Sequence, residues 1–201
     1  MTLEFGKMKS SPTTRKRRSQ GTLPLRAQGT VAAPRVIPPL PSLLRVGIGN
    51  DLHRLADGRN LILGGVRIPF DKGPVGHSDG DVLAHAICDA LLGAARFGDI
   101  GRHFPNTSPQ WKNASSLLFL RHVRQRLDAA GYRIVNIDAT VGLERPKLAP
   151  YILAMERKVA AALALEPGQV SVKAKSGEGL EAVGRGAAIR ADAVALIQTC
   201  S

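Results

Sequence analysis

The sequence predicts a single α/β domain of the α+β type, in which helices cover a mixed or antiparallel four-stranded sheet. Apolar residues make up 44% of the 201 residues, a share typical of globular proteins. From residue 44 onward, segments with apolar residues at helical spacing alternate with segments of period two. The predicted order is β, β, α, α, β, α, β, β without an internal repeat, which indicates one domain of about 155 residues.

The first half of this domain is predicted to contain two strand regions and two helices. LLRVGIG, residues 43–49, predicts a strand, and DLHRLADGRN, residues 51–60, predicts a polar loop. Residues 61–69 predict two short extended runs on either side of a Gly-Gly pair. Apolar residues at helical spacing predict helices over residues 80–95 and 114–130.

The second half is predicted to complete the sheet around a third helix. Residues 132–143 alternate with period two and predict a strand. A helix is expected over residues 149–165, near whose start Pro150 lies. QVSVKAK, residues 169–175, and the alternating segment 187–198 predict the last two strands.

Residues 1–43 are predicted to be a basic, proline-containing disordered tail, and residues 44–201 the folded domain. Residues 1–45 carry nine Lys and Arg against one acidic residue, whereas the rest of the chain carries nineteen against fifteen. This composition buries too little apolar surface to offset the entropy lost on ordering. Three hypotheses stay open for the tail: a plain extension or upstream start codon, a transit peptide for a plastid-type organelle, or an arm that binds nucleic acid or an anionic surface.

Charge, hydropathy and cysteine content argue against several classes of protein. Because the net charge of +12 lies mostly in the tail, the domain is not predicted to bind nucleic acid. No window approaches the roughly 18 continuous apolar residues of a membrane span, so no membrane partner is predicted. Cys88 and Cys200 match neither a disulfide framework nor a zinc spacing, and a reducing, cytoplasmic compartment is the simplest expectation.

Asp51 and His53 lie two residues apart, directly after a predicted strand that ends in glycine. In extended backbone, residues i and i+2 point to the same side, so a carboxylate oxygen and an imidazole nitrogen could converge on one metal ion. The pair is equally compatible with an aspartate that caps a turn beside a solvated histidine.

His85 lies in the middle of the first predicted helix, where a histidine with a purely structural role is the alternative. Asp89 follows it by one turn and Asp81 precedes it by one turn, so both share its face. A carboxylate that holds a histidine is a frequent outer support of a zinc ligand. With Asp51 and His53, His85 would provide three ligands for tetrahedral zinc and leave the fourth position to substrate or water.

Two loops and one turn carry groups suited to a phosphorylated ligand. The segment HSDGD begins with His77 and Ser78 just before a predicted helix, a favourable place for an anion. The segment KSGEG offers Lys175 and two glycines to a phosphate, and its Glu178 suits a hard cation such as Mg²⁺. Arg185 in the turn GRG offers a guanidinium fork. For each of these segments, a simple turn or surface charge is the alternative.

The ordered motifs resemble a known family. They are G-x-G-x-D-x-H, L-x-L-G-G-V-x-I-P, H-S-D-G-D-x-x-x-H-A-x-x-D-A-L-L-G-A and G-D-I-G-x-x-F-P. Together they are similar to the 2-C-methyl-D-erythritol 2,4-cyclodiphosphate synthases of the non-mevalonate isoprenoid pathway. The resemblance covers residues 44–200 and excludes the tail.

The resemblance implies a phosphorus–oxygen lyase that forms homotrimers with active sites at the subunit interfaces. The substrate would be 4-diphosphocytidyl-2-C-methyl-D-erythritol 2-phosphate, which cyclises and releases CMP. It implies one Zn²⁺ per subunit on Asp51, His53 and His85, and a Mg²⁺ or Mn²⁺ on Glu178. His77 and Ser176 would stabilise the transition state.

The resemblance also implies the residues that contact the substrate. They belong to the methylerythritol, cytosine and phosphate subsites: Ser78, Asp99, Ile100, Gly101, Phe104, Pro105, Asn106, Thr107, Ser108, Leu143, Glu144, Arg145, Pro146, Lys147, Leu148, Ala149, Lys175, Gly177, Ala182 and Arg185.

The chain departs from the family pattern at three places. Lys175-Ser176-Gly177 stands where threonines are usual, FPNTS stands where FPDTD is common, and Ala182 replaces a larger residue. An altered substrate affinity is expected from the loss of two negative charges. Two other functions stay open: a zinc-dependent phosphohydrolase that uses water at the fourth metal position, and a non-enzymatic binding module that depends on the basic tail.

Overall fold

The computed structural model describes residues 43–200, so the predicted tail lies outside the described residues except for Leu43, and Ser201 also lies outside them. The strands are β1 (Leu44–Asp57), β2 (Leu61–Leu63), β3 (Val66–Ile68), β4 (Lys72–Pro74), β5 (Tyr132–Gly142), β6 (Val170–Lys175) and β7 (Ala188–Thr199). The helices are α1 (Val82–Ala95), α2 (Ile100–His103), α3 (Ser116–Ala129), α4 (Ile152–Leu163) and α5 (Glu181–Gly184).

The main sheet has five strands in the order β4-β1-β7-β5-β6, and only the β5–β6 pair is parallel. The predicted mixed α/β domain is confirmed, but the predicted count of four strands is wrong. The additional edge strand is β4, a three-residue segment too short to show periodicity. β2 and β3 form a separate hairpin around Gly64-Gly65.

β1 is longer than its sequence indicates, because it continues to Asp57 through most of the predicted polar loop 51–60. Antiparallel pairing with β7 runs from Leu44 to Arg54 without interruption. Backbone hydrogen bonds to a neighbouring strand thus keep a polar segment extended, and sequence periodicity does not reveal them.

The three predicted helices are confirmed, with ends shifted by up to three residues. A turn of 3₁₀ helix (Ala149–Tyr151) precedes α4 and accounts for its largest shift. α2 and α5 are four-residue helices that lie in segments with no predicted helix.

Two glycines of β1 allow α1 to lie directly against the strand. A Cβ at Gly47 would be 2.0 Å from the Ala90 carbonyl oxygen, and a Cβ at Gly49 would be 2.1 Å from that of Ala86. Alanines on the helix complete this close approach between backbones. His85 adjoins Ala86 on the helix, and Asp51 follows Gly49 by two residues on the strand, so the same packing brings His85 towards Asp51.

Within residues 43–200, the helices pack against one face of the sheet. On the opposite face, β1 and β7 present a row of exposed apolar side chains: Leu44, Val46, Ile48, Leu52 and Val194, which are 43–73% exposed. A contiguous exposed apolar surface of this kind is typical of a protein interface. Within residues 43–200, no helix is both long and apolar enough to span a membrane.

Candidate functional site

Asp51, His53 and His85 form a cluster, here called the metal-ligand cluster, between β1 and α1. The Asp51 Oδ2 atom lies 3.0 Å from His53 Nε2 and 2.8 Å from His85 Nδ1. One ligand atom from each residue lies within 4.8 Å of the other two. The side chains are 12–23% exposed, so they are shielded yet reachable. The convergence predicted for these three residues is therefore confirmed.

The charges of this cluster favour an ionised carboxylate. Burial raises the pKa of Asp51, but the hydrogen bonds and positive charge of His53 and His85 outweigh it and lower the pKa to about 2. The hydrogen bond to Asp51 raises the pKa of His53, against the opposing effect of burial. A bound cation would replace the proton shared between these groups.

Both imidazoles direct one nitrogen to Asp51 and use the other for a hydrogen bond elsewhere. His53 Nδ1 lies 2.8 Å from the Val75 carbonyl oxygen, to which it donates. His85 Nε2 lies 2.9 Å from Ser116 Oγ and 3.1 Å from Ser78 Oγ. Outer hydrogen bonds of this type orient histidines that bind a metal.

Asp81 and Asp89 do not support His85 as the sequence predicted. Within residues 43–200, the hydrogen-bond partners of the His85 ring are Asp51, Ser78 and Ser116. Asp81, His85 and Asp89 share one general face of α1 because one turn separates each from the next. Their positions still differ by some rotation about the helix axis, so each aspartate contacts a different neighbour.

Asp81 and Asp89 instead hold backbone segments. The buried Asp81 carboxylate caps α1 at Ala84 N and accepts hydrogen bonds from Gly64 N and Gly65 N of the β2–β3 turn. Asp89 Oδ1 accepts a 2.7 Å hydrogen bond from Ile100 N. Asp89 thereby orients the start of α2.

A cavity of about 570 Å³ opens at the metal-ligand cluster. Most of the residues predicted to bind the methylerythritol portion line it beside the cluster: His77, Ser78, Ile100, Gly101, Phe104, Pro105, Asn106 and Thr107. Ser108 and Asp99 do not line the cavity, but each forms a hydrogen bond with a residue of this region. The Ser108 carbonyl accepts a hydrogen bond from His77 Nε2, and Asp99 caps α2 at Arg102 N.

The sequence analysis did not find four residues of this site. Gly76, Trp111 and Phe119 line the cavity, and Ser116 contacts His85. Trp111 Nε1 is the one buried side-chain nitrogen or oxygen without a hydrogen-bond partner in the described part of the chain. Phe104 and Phe119 stack with ring centroids 4.4 Å apart, and Trp111 packs edge-on against both. No motif or spacing marks these positions as functional.

The second group of predicted substrate-binding residues lies elsewhere in the same chain. None of the described residues in 143–149 or 175–185 lines the cavity at the metal-ligand cluster. Glu144, Arg145 and Arg185 line a different cavity of about 420 Å³. Leu143 and Leu148 are buried in the hydrophobic core, so only their backbone could serve a ligand.

The sheet register gives the separation between the two groups. Leu52, Arg190, Gly142 and Lys175 are successive partners across β1, β7, β5 and β6. Three steps of about 4.8 Å place Lys175 about 14 Å from Leu52, which lies between Asp51 and His53. The structure of one chain thus does not bring the KSGEG loop (residues 175–179) to the metal-ligand cluster.

The KSGEG loop has exposed residues at both ends and the half-buried Ser176 and Gly177 between them. Glu178 is exposed and its carboxylate accepts a hydrogen bond from the Ser176 hydroxyl. Gly177 N donates to Glu144 Oε2 at 3.0 Å, which joins this loop to the segment 143–149. Ala182 is half-buried in α5, and its carbonyl accepts a hydrogen bond from Ala187 N.

The donor set of the metal-ligand cluster fits a tetrahedral zinc ion. Bonds of about 2.0–2.1 Å to zinc place tetrahedral ligand atoms about 3.3 Å apart. The observed separations of 2.8 and 3.0 Å from Asp51 Oδ2 need to widen by only a few tenths of an ångström. With one carboxylate and two imidazoles as ligands, a tetrahedral ion would keep one position for a further ligand.

Known proteins with similar sequences belong to one family. The model of the YgbB family matches residues 44–198. The chain belongs to the YgbB family. A relative from Laribacter hongkongensis, named 2-C-methyl-D-erythritol 2,4-cyclodiphosphate synthase, is 56% identical over 156 residues, which cover 78% of this chain and 96% of the relative.

Solved structures of similar proteins share the fold of this YgbB domain. A 2C-methyl-D-erythritol-2,4-cyclodiphosphate synthase in a CDP-bound form superposes with a TM-score of 0.71 and 38% identity, covering 76% of this chain and 99% of that chain. The Plasmodium falciparum IspF–CDP complex superposes with a TM-score of 0.69 and 32% identity, covering 79% and 97% respectively. The family match leaves out residues 1–43.

Proposed function

We propose that this chain converts 4-diphosphocytidyl-2-C-methyl-D-erythritol 2-phosphate to 2-C-methyl-D-erythritol 2,4-cyclodiphosphate and CMP. The observation that carries the proposal is the Asp51–His53–His85 cluster at the mouth of a cavity, in a member of a family whose relatives are named for this product. In the reaction, an oxygen of the 2-phosphate attacks the β-phosphorus. The bond from that phosphorus to the oxygen bridging the α-phosphorus breaks, and CMP leaves with the electron pair.

Two metal ions would neutralise the charge that such a transfer develops. Asp51, His53 and His85 would hold Zn²⁺, and Glu178 would hold Mg²⁺ or Mn²⁺. When bound, these ions would polarise the β-phosphate and stabilise the departing CMP. The protein side chains would mainly position the attacking phosphate, since phosphoryl transfer needs little covalent help.

The cavity walls would orient the methylerythritol phosphate. We assign His77 and Ser78 to its phosphate, because both line the cavity beside the metal-ligand cluster. The segment from Ile100 to Thr107 would enclose the carbon skeleton. The Phe104 ring, which lines the cavity, would help to exclude water from the reacting atoms.

The remaining proposed contacts would come from a neighbouring subunit. In one chain, Lys175 lies about 14 Å along the sheet from the metal-ligand cluster, so Ser176 and Glu178 need a second copy to reach the same substrate. The residues we assign to this half of the site are Leu143, Glu144, Arg145, Pro146, Lys147, Leu148, Ala149, Lys175, Ser176, Gly177, Glu178, Ala182 and Arg185.

We therefore propose a homotrimer with active sites between subunits. The exposed apolar side chains on β1 and β7, among them Val46, Ile48 and Leu52, support a buried interface on the uncovered face of the sheet. Residues 44–201 would be the catalytic domain in the cytoplasm, and residues 1–43 a tail that the reaction does not need.

The experiment that tests this function follows the products by phosphorus NMR. The purified chain is incubated with the diphosphocytidyl substrate, Zn²⁺ and Mg²⁺, and one CMP per cyclic diphosphate is expected. A chelator should abolish the signal of both products. Release of inorganic phosphate or an open diphosphate instead would contradict cyclisation and favour a phosphohydrolase.

A further inference from the structure

The hydroxyl of Ser116 forms a hydrogen bond with His85 Nε2, the ring nitrogen that does not face Asp51. Ser116 is fully buried at the first turn of α3, and its Oγ lies 2.9 Å from His85 Nε2. On its other side the same hydroxyl donates to Asp79 Oδ1. The two residues lie 31 and 37 positions from Ser116 along the chain.

The direction of these hydrogen bonds follows from the chemistry of the groups. An ionised carboxylate only accepts, so the Ser116 hydroxyl hydrogen is committed to Asp79. A lone pair of Ser116 Oγ then faces His85 Nε2, which must donate. With Nε2 donating to Ser116, Nδ1, which lies 2.8 Å from Asp51 Oδ2, is the nitrogen left to bind a metal ion at the metal-ligand cluster.

Asp79 forms further hydrogen bonds, through its carboxylate and its backbone, with the segment at the start of α3. Its Oδ2 accepts a 3.0 Å hydrogen bond from Ser116 N, and its backbone N donates to the Ala114 carbonyl oxygen at 3.0 Å. Asn113 N donates to the His77 carbonyl oxygen at 2.9 Å. The start of α3 is thus bonded to the HSDGD segment at several points, which fixes the Ser116 backbone beside His85.

We infer that Ser116 and Asp79 are positioning residues that hold His85 in the tautomer and orientation required to bind the metal ion. The inference rests on the proposed function only in taking Asp51, His53 and His85 as zinc ligands. Neither residue needs to touch the metal ion or the reacting phosphates. They act through the His85 ring, as outer partners of ligating histidines do in other metalloproteins.

The test compares Zn²⁺ affinities by competition with a chromogenic chelator. Ser116→Ala should weaken Zn²⁺ binding by about 10-fold to 100-fold, the usual loss on removing an outer partner of a metal-ligating histidine. Ser115→Ala is the matched control, because Ser115 is exposed and makes no side-chain capping hydrogen bond. It should bind Zn²⁺ like the wild type.

Asp79→Asn and Ser116→Thr extend the test to both partners. Asp79→Asn should weaken Zn²⁺ binding in the same direction, while Ser116→Thr keeps the hydroxyl and should retain most of the affinity. Excess Zn²⁺ should restore much of the turnover of Ser116→Ala, which a general structural defect would not allow. Circular dichroism identifies any variant that fails to fold, and the other two then decide.

The possible outcomes separate the two proposals. Unchanged Zn²⁺ affinity in folded Ser116→Ala and Asp79→Asn, with normal binding by the wild type, would overturn the positioning role and leave the metal-ligand cluster intact. Failure of the wild type itself to bind Zn²⁺ would overturn the proposed zinc site and the inference with it.

Discussion

The metal-ligand cluster and the KSGEG loop differ in how completely a single chain builds them. Asp51, His53 and His85 converge within 4.8 Å, and the outer hydrogen bonds of His85 are formed by the buried side chains of Ser78 and Ser116. Glu178 is exposed, and its hydrogen-bond partner in the described residues is the neighbouring Ser176.

This difference indicates which parts of the site the fold prepares in advance. Helix–strand packing sets the metal-ligand cluster, so it should form in an isolated subunit. The KSGEG loop ends a strand about 14 Å away across the sheet, so its contribution to the same reaction depends on assembly. Substitutions in the two regions should therefore have different consequences for metal binding.

The largest effect is expected from His85→Ala. Two remaining ligands cannot hold tetrahedral zinc, and turnover should fall by roughly 100-fold to 1,000-fold, as on loss of a main stabiliser of transition-state charge. Zinc content of the purified variant and cyclic diphosphate formation measure the two losses. A variant with full activity would show that His85 is not a ligand.

Gly49→Ala tests whether close helix–strand packing produces the metal-ligand cluster. The new Cβ would lie 2.1 Å from the Ala86 carbonyl oxygen, so α1 must move. Overpacking of this kind costs about 1–3 kcal/mol in the free energy of unfolding, and Zn²⁺ binding should weaken as His85 shifts. Urea unfolding of the chelator-treated protein measures the first effect.

Gly93→Ala is the matched control, on the helix α1 that Gly49 contacts. A Cβ there has one neighbour within 4 Å, the Ile48 carbonyl oxygen at 3.9 Å. Alanine is the better helix former, so stability should rise by about 0.5–1 kcal/mol. Equal destabilisation by both substitutions would contradict a special role for Gly49.

Glu178→Gln should separate the two metal ions. Loss of one charged oxygen should weaken the binding of Mg²⁺ or Mn²⁺. The concentration of either ion needed for half-maximal turnover should then change by about tenfold, while Zn²⁺ content stays normal. Glu181→Gln changes an exposed acidic residue three positions later and serves as the control. If the Mg²⁺ dependence of Glu178→Gln equals that of the control, Glu178 does not hold the second ion.

The smallest effect is expected from deletion of residues 1–43. Neither the metal-ligand cluster nor the KSGEG loop includes any of these residues, so turnover should stay close to that of the full chain. Steady-state kinetics of the two forms make the comparison. A large loss of activity would favour the binding-module hypothesis, in which the basic tail carries the function.

Much of the fold could be predicted because its signals are local. α1, α3 and α4 follow helical spacing, and their ends differ from prediction by at most three residues. β1 beyond residue 49 and the edge strand β4 could not be predicted in this way. Their conformation depends on pairing with β7 and with each other, so polar and short segments become strands.

The candidate site shows the same division. Asp51, His53 and His85 were predicted from residue type and family pattern, and the fold brings them together. Ser116 was not predicted, because its link to His85 spans 31 residues and no motif contains both. Asp89 was assigned to His85 from helical spacing, whereas in the structure its carboxylate accepts a hydrogen bond from Ile100 N.

The sequence by itself determined the chemistry available to this protein: a carboxylate and two imidazoles for a metal ion, phosphate-binding groups in two loops, and a domain that begins near residue 44. Residue type, local periodicity and the resemblance to a known family suffice for these features, since none of them requires knowing how distant segments pack. Only the tertiary structure decided that α1 contacts β1 at Gly47 and Gly49, that Ser116 supports His85, and that the KSGEG loop lies apart. These features depend on packing and strand register between distant segments, which no local pattern specifies.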